Sequence, residues 1–209
     1  MDHLQQFALA AGLAWASGIR LYTVLFVVGL LSRMEWIDLP PNLQILAHPL
    51  VLGASGFMLF VEFFADKIPG VDSLWDAVHT FIRIPAGALL AAGVMGDSDS
   101  ALAVAAGILG GVIATGTHLT KAGSRALINI SPEPVTNWTA SFTEEALVAG
   151  GLWAMFQHPL LFLIALAAFI AFALWLLPKL WRGIRRLAGA LANVLRGGVS
   201  AAQGRYQER

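Results

Sequence analysis

Asp72, Asp76, His79 and Arg83 fall at steps of four, three and four, so on a helix they form a single stripe. Leu74, Trp75, Val78, Phe81 and Ile82 cover the remaining surface, which describes a short amphipathic helix at a membrane surface. Carboxylates four residues apart on a helix repel by roughly a few tenths of a kcal/mol, and by more where water is scarce. A cation is therefore expected between Asp72 and Asp76, with Lys67, Arg83 or a bound metal ion as the candidates. Asp76 and His79, three apart, have the carboxylate and histidine spacing of metal sites built into helix bundles. That makes Asp72, Asp76 and His79 a candidate ligand set for a metal-dependent hydrolase, although no second Asp/Glu-x-x-His element occurs in the chain. A polar stripe that simply faces water has the same spacing. His79 also titrates near neutral pH when unperturbed, as a proton switch must.

Three further groups lie inside apolar stretches, where an ionisable residue costs roughly 3 kcal/mol or more and calls for a partner or a role. Arg20 sits deep in the first such stretch, after Ser17-Gly18, a pair that can break a helix and aim a half-helix N-terminus inward. Glu62 and Asp66 are four apart near the end of the second. His118, Lys121 and Arg125 step by three and four as a basic stripe closing the fourth. Arg20, Lys121 and Arg125 suit an anion, while Glu62, Asp66, Asp76 and His79 suit proton coupling or gating. An Arg20 to Glu62 ion pair that only fixes packing is the alternative.

The elements that must position these groups are membrane helices. The chain of 209 residues is 57% hydrophobic and 12% charged, against about 45–50% apolar and about 25% charged in soluble domains. Thirteen basic and thirteen acidic residues leave no net charge, which argues against nucleic-acid binding. The absence of cysteine excludes disulfides, thiolate metal sites and cysteine nucleophiles. Leu4 to Leu31, Pro49 to Asp66, Ile84 to Met95, Ala101 past Thr117, Phe142 to Phe156 and Pro159 to Leu177 are candidate membrane segments. The expectation is an all-α, polytopic transmembrane bundle over residues 1–178 with about six segments. Two of them, 84–95 and 142–156, are short enough to be tilted or re-entrant. No basic leader precedes the first, which reads as a retained helix.

Lys and Arg crowd one set of loops and the tail, from Lys67 and Arg83 through Lys121 and Arg125 to Lys179, Arg182, Arg185, Arg186, Arg196, Arg205 and Arg209. Arg33 with Glu35, Asp38, Asp97 and Asp99 marks the other side. Six crossings with both termini in the cytoplasm follow. Trp36, Trp75, Trp138, Trp175 and Trp181 lie near predicted helix ends, as an aromatic belt requires. Residues 179–209 alternate arginine with Leu180, Ile184, Leu187, Leu191 and Leu195, a basic amphipathic tail suited to anionic lipids or to anchoring the topology. Gly107, Gly111 and Gly116 give the fourth helix a bare face for close packing.

A weak internal repeat runs through this pattern. A shift of 63 positions aligns Pro69 with Pro132, Trp75 with Trp138, Thr80 with Thr143, and Ala86-Gly87 with Ala149-Gly150. It would be a parallel repeat about an axis along the membrane normal, and it sets Arg125 opposite Glu62 as a possible pair.

The runs Ala65-Asp66-Lys67-Ile68-Pro69-Gly70-Val71-Asp72, Trp75-Asp76, His79-Thr80-Phe81-Ile82-Arg83, Pro85-Ala86-Gly87, Lys121-Ala122-Gly123 and Ser131-Pro132-Glu133-Pro134 resemble a bacterial membrane family catalogued as domain of unknown function 4126. The resemblance covers about residues 5–177, implies a bacterial inner-membrane protein and brings no established activity. The Pro-Gly-acidic turn and the Arg-x-Pro-Ala-Gly run are also similar to polyprenyl-phosphate flippases with re-entrant helices, whereas the Glu-rich signature of polyprenyl-pyrophosphatases is absent. Together these features suggest a small transporter, channel or flippase for an anionic solute or a phosphate-bearing lipid carrier. Arg20, Glu62, Asp66, Lys67, Asp72, Asp76, His79, Arg83, Lys121 and Arg125 are its binding or coupling residues, and no cofactor is expected. A membrane-embedded hydrolase and a non-catalytic scaffold are the alternatives, and oligomeric state is left open.

Overall fold

The computed structural model describes residues 2–96, 99–130 and 134–207. Asp97, the Ser131-Pro132-Glu133 run with its repeat partner Pro132, and Arg209 lie outside them, as do the side chains of Leu187, Leu191, Leu195, Arg196 and Arg205. The chain is all-α: α1 spans His3–Arg33, α2 Pro49–Ala65, α3 Val71–Met95, α4 Ser100–Ile128, α5 Pro134–Gln157 and α6 Pro159–Gln207, with a 3-10 segment, Pro41–Ala47, ahead of α2. By length and apolarity α1, α3, α4 and Pro159–Arg186 of α6 can each cross a membrane, and so can the 3-10 segment and α2 taken together, bent by 65°. This is the polytopic helix bundle the sequence describes.

Polarity is inverted relative to a soluble protein. Phe57, Leu89, Ile108 and Leu174 are 66, 71, 65 and 68% exposed, while Arg20, Glu62, Asp66, Asp72 and Arg83 are all 0% exposed. Hydrocarbon outside and charge inside is the arrangement a lipid solvent selects. With no hydrophobic drive between lipid-bathed helices, association depends on close approach. Small residues supply it where α1, α3 and α4 meet: a Cβ on Gly18 would lie 2.6 Å from the Ala114 carbonyl, and one on Gly87 2.5 Å from the Ala114 Cβ. The tight contact on α4 is Gly110, whose Cβ would sit 2.5 Å from that of Ala91. Gly107 and Gly111 meet α3 at ordinary contact distance and Gly116 faces open space, so the expected bare face is displaced to Gly110.

Two segments that the sequence divides are continuous. The expected surface helix around Asp72 to Arg83 and the short helix 84–95 are one element, α3, running through Pro85. Proline removes one backbone hydrogen bond there, but packing of Gly87 against Ser17 and Ala114 holds the next turn in line. The short segment 142–156 is likewise the second part of the 24-residue α5. At the other end, α6 continues through Pro178, so the boundary expected at residue 178 falls inside a helix. Gly70, with φ +85°, makes the turn into α3 and stands at its N-cap. Asp72 accepts from the backbone N–H groups of Gly70 and Ser73 at 3.0 and 2.7 Å.

The main departure from expectation is α1. Arg20 has non-helical φ −146° and ψ 83° and divides the helix in two. Along the first half Gly12 packs on Met155 and Phe162, Gly151 packs on Trp15, and Arg20 reaches Ser141. Numbers rise in α1 as they fall in α5, so this half runs antiparallel to α5. Along the second half Arg20 meets Asp66, Phe26 packs on Gly56, and Gly29 packs on Leu46 and Leu52. That half runs antiparallel to α2. Because α2 descends toward the α2–α3 turn and α5 rises away from the neighbouring α4–α5 turn, the two halves of α1 enter and leave by the same end of the bundle. Arg20 is the apex.

The two halves of α1 therefore form a hairpin whose ends lie at one end of the bundle. The N-terminus lies at the end holding the α3–α4 and α5–α6 turns. The tail leaves α6 at the opposite end, where Gly123 and Leu180 pack together and Gly183 meets Leu127. Termini on one common face, as expected for six crossings, are not what the fold contains. The break at Arg20 converts one crossing into a dip and return.

Candidate functional site

Four helices, α2 to α5, bring polar groups to the level of the α1 apex. The C-terminal end of α2 supplies Glu62 and Asp66, and the first half of α3 supplies Asp72, Asp76, His79 and Arg83 along one face. The last turns of α4 supply His118, Lys121 and Arg125. From the start of α5 come Asn137, Ser141, Glu144 and Glu145, the first three again at steps of four and three. These stripes face inward because no other face of the same helices carries charge.

The groups form one connected network. Arg83 bridges two carboxylates, with Nη2 2.5 Å from Glu62 Oε1 and Nη1 2.7 Å from Asp76 Oδ1. Lys121 Nζ lies 2.9 Å from Asp66 Oδ2, 3.5 Å from Asp76 Oδ1 and 3.3 Å from Glu144 Oε2. Lys121 also donates to the Ile19 carbonyl at 3.1 Å. That carbonyl ends the first half of α1, where the break frees it from the helical ladder and where a helix C-terminus favours a cation. Arg20 Nη2 lies 3.0 Å from Asp66 Oδ2 and 3.5 Å from both Glu144 Oε2 and Glu145 Oε1, and donates to Ser141 Oγ at 2.8 Å. Arg125 donates from Nε to Glu144 Oε1 at 2.8 Å and lies 3.7 Å from Asp72 Oδ2. Lys67 closes the network at Glu145, 3.4 Å away, with its ammonium 3.0 Å above the Phe63 ring.

Arg20, Lys67, Arg83, Lys121 and Arg125 thus face Glu62, Asp66, Asp72, Asp76, Glu144 and Glu145. With the histidines neutral, five positive charges meet six negative ones. One histidine extends the network, His118, whose Nδ1 lies 3.4 Å from Arg83 Nη1, while His79 stands apart from the ion pairs. His79 Nε2 is 3.1 Å from the Tyr22 hydroxyl and its Nδ1 2.8 Å from the Trp75 carbonyl, while His118 Nε2 is 2.7 Å from Thr80 Oγ1.

Polar groups are left over. Arg20 Nε and Nη1, Arg83 Nε, Arg125 Nη2, Glu62 Oε2, Asp66 Oδ1 and Asp76 Oδ2 are buried and have no hydrogen-bond partner among the described residues. Buried groups of this kind are costly. A cavity reaches the network. It has a volume of about 370 Å³, lies between α4 and α5 with Ile19 and Phe169 at its edges, and carries Lys121 and Glu144 on its wall. Thr117, Thr120, Thr139 and Thr143 stand on its wall with their hydroxyls donating to their own helices, so the surface it presents is largely apolar.

A family described as Domain of unknown function (DUF4126) matches residues 7–179. The chain belongs to this family. A search of curated proteins and of solved structures finds no match. For this DUF4126 chain the matched region takes in the whole helix bundle and ends at the start of the tail.

This DUF4126 chain brings nine of the ten sequence-singled residues into one buried network, with His79 on the same α3 stripe but bonded to Tyr22 and Trp75, and several pairings differ from expectation. Arg20 pairs with Asp66, not Glu62, and Glu62 pairs with Arg83. Arg125 does not meet Glu62 across a repeat axis; Glu144 and Asp72 take it. No single cation sits between Asp72 and Asp76. Asp76 is held by Arg83 and Lys121, while Asp72 faces Arg125 and accepts from Asn129 Nδ2 at 2.7 Å. The stripe of α3 does not face water, since its four members are at most 4% exposed.

The alternative metal set also fails on geometry. Asp76 is committed to two cations, Asp72 to Asn129 and Arg125, and His79 to Tyr22 and Trp75. Among the described residues no group of three such side chains is placed to hold a metal ion. Sequence reasoning singled out neither Glu144 nor Ser141 and Asn137, although their spacing repeats the four-three step of Asp72, Asp76 and His79.

Proposed function

We propose that this chain is a small transporter or flippase that moves an oxyanion, free or borne on a lipid, across the bacterial inner membrane. What carries the reading is the network itself: eleven charged side chains held at the apex of a broken, re-entrant helix and reached by the α4–α5 cleft. Buried ion pairs break even at best against apolar packing, and ionisable groups in a membrane interior mark pathways and relays. Half-helix ends facing a polar centre are the way many carriers build an ion site.

Orientation follows from charge. Lys179, Arg182, Arg185 and Arg186 leave the bundle at one end, and Glu35, Asp38 and Asp99 gather at the other. The tail end is therefore cytoplasmic, and its basic helix lies on anionic lipid. The hairpin of α1 then opens to the periplasm and offers Arg20 to the cytoplasmic half of the bundle. A parallel repeat supports a carrier architecture: α2 and α4 end at Ala65 and Ile128, and α3 and α5 begin at Val71 and Pro134, each pair 63 positions apart.

Reconstituted into liposomes, the protein is expected to move phosphate or a fluorescent lipid phosphate faster than empty vesicles, with the rate responding to an imposed proton gradient. Flux equal to that of empty vesicles for both classes sinks the reading. It favours instead a scaffold, whose supporting observation is the near balance of charge in the network.

A further inference from the structure

The proposed transport leaves open where the anion sits, and one residue outside the sequence-singled set answers it. Glu144 is delivered by α5 into a nest of three cations from two other helices. Its Oε1 accepts from Arg125 Nε at 2.8 Å, and its Oε2 lies 3.3 Å from Lys121 Nζ and 3.5 Å from Arg20 Nη2. The fit is incomplete: Glu144 Oε2, Arg125 Nη2 and Arg20 Nη1 have no hydrogen-bond partner among the described residues, though Arg20 and Arg125 are at most 1% exposed. A carboxylate has two oxygens, whereas these donors are arranged for more. Glu144 and Lys121 are also the charged groups on the wall of the α4–α5 cleft, so this carboxylate has space to move into.

We propose that the Arg20, Lys121 and Arg125 nest is the seat of a phosphate-type oxyanion, and that Glu144 is its built-in stand-in, displaced into the cleft when the anion enters. This rests on the transport reading above and names the site within it. Charge decides the stoichiometry. An anion that entered beside ionised Glu144 would add to a network in which six carboxylates already face five cations. Entry with one proton on Glu144 leaves the total unchanged, so one proton accompanies each monovalent anion. No covalent bond is made or broken apart from that O–H.

The charges facing Glu144 from each packed element are Arg20 of α1, Lys121 and Arg125 of α4, and its neighbour Glu145. Asp66, Asp76 and Asp72 share the same cations from the α2–α3 side. Departure of Glu144 takes no donor from these carboxylates: Asp66 keeps Arg20 and Lys121, Asp76 keeps Arg83, and Asp72 keeps Asn129. Glu144 is therefore the carboxylate whose departure empties a seat without stranding its neighbours. The apolar flank of the cleft, Ile128, Leu147 and Phe169, admits a hydrocarbon tail beside that seat.

The test is binding to the purified full chain of dimethyl phosphate, whose single charge is constant with pH, and of hexyl methyl phosphate, which adds a tail. For the unmodified protein, affinity should rise roughly tenfold for each pH unit lowered while Glu144 is ionised, with one proton taken up per anion. Glu144→Gln should bind more tightly at alkaline pH and lose the pH dependence. A tail that strengthens binding identifies a lipid phosphate as cargo, and equal affinities identify a free oxyanion. No binding, or binding without proton uptake in the unmodified protein, overturns the proposal even where Glu144→Gln does not fold. Binding as specified with no liposome flux leaves the seat standing and removes transport, whereas flux without such binding does the reverse.

Discussion

Arg83→Met is expected to destabilise the protein by about 3–5 kcal/mol, the cost of removing one partner from a buried ionic group. Arg83 is the sole ion-pair partner of Glu62 among the described residues and one of two for Asp76, and both carboxylates are at most 1% exposed. Without it Glu62 must be protonated or hydrated inside the bundle. The double variant Glu62→Gln with Arg83→Met should recover much of the loss, because Asp76 still has Lys121 at 3.5 Å. Unfolding of the two single variants and the double in detergent gives the coupling directly. Strict additivity would mean that the pair contributes nothing jointly.

Arg20 should behave in the opposite manner. Its main partner, Asp66, keeps Lys121 at 2.9 Å when Arg20 is removed, so no carboxylate there is left alone. Yet Arg20 ties the apex of α1 to Ser141, Glu144 and Glu145 of α5. Arg20→Gln is therefore expected to cost about 1–3 kcal/mol, within the range for loss of a hydrogen bond to a charged group, while reducing liposome flux by roughly tenfold or more, the factor that about 1.4 kcal/mol of lost anion stabilisation gives. Stability and flux measured on the same preparation separate the roles. A loss of flux that only tracks unfolding would assign Arg20 to packing.

Much of this was legible in the sequence because lipid makes charge conspicuous. An arginine after Ser17-Gly18, an acidic pair at 62 and 66 and the four-three-four stripe of α3 stand out against apolar surroundings, and all of them converge. Pairing was not legible, since partner choice depends on how helices are rotated against one another. That is why Arg20 meets Asp66 and Arg83 meets Glu62. Glu144 and Glu145 are less conspicuous, because their segment is short and its stripe lacks the Asp/Asp/His set of α3.

The direction of α1 was hidden for a different reason. Apolar length is the same for a helix that crosses and for two halves that dip and return, and the reversal turns on the dihedral angles of Arg20 alone. α3 departs in the other sense: two segments divided near residue 84 are one helix, which packing at Gly87 keeps continuous through Pro85.

The sidedness of single cysteines tests this architecture most directly, because the chain contains no other thiol. His3→Cys and Gln44→Cys are exposed at the end where both halves of α1 emerge, and Arg186→Cys at the tail end. In intact cells a membrane-impermeant maleimide should label the first two, and Arg186→Cys should react only after the membrane is opened. Labelling of His3→Cys and Arg186→Cys from one common side would contradict the re-entrant α1, and with it the delivery of Arg20 to the buried network.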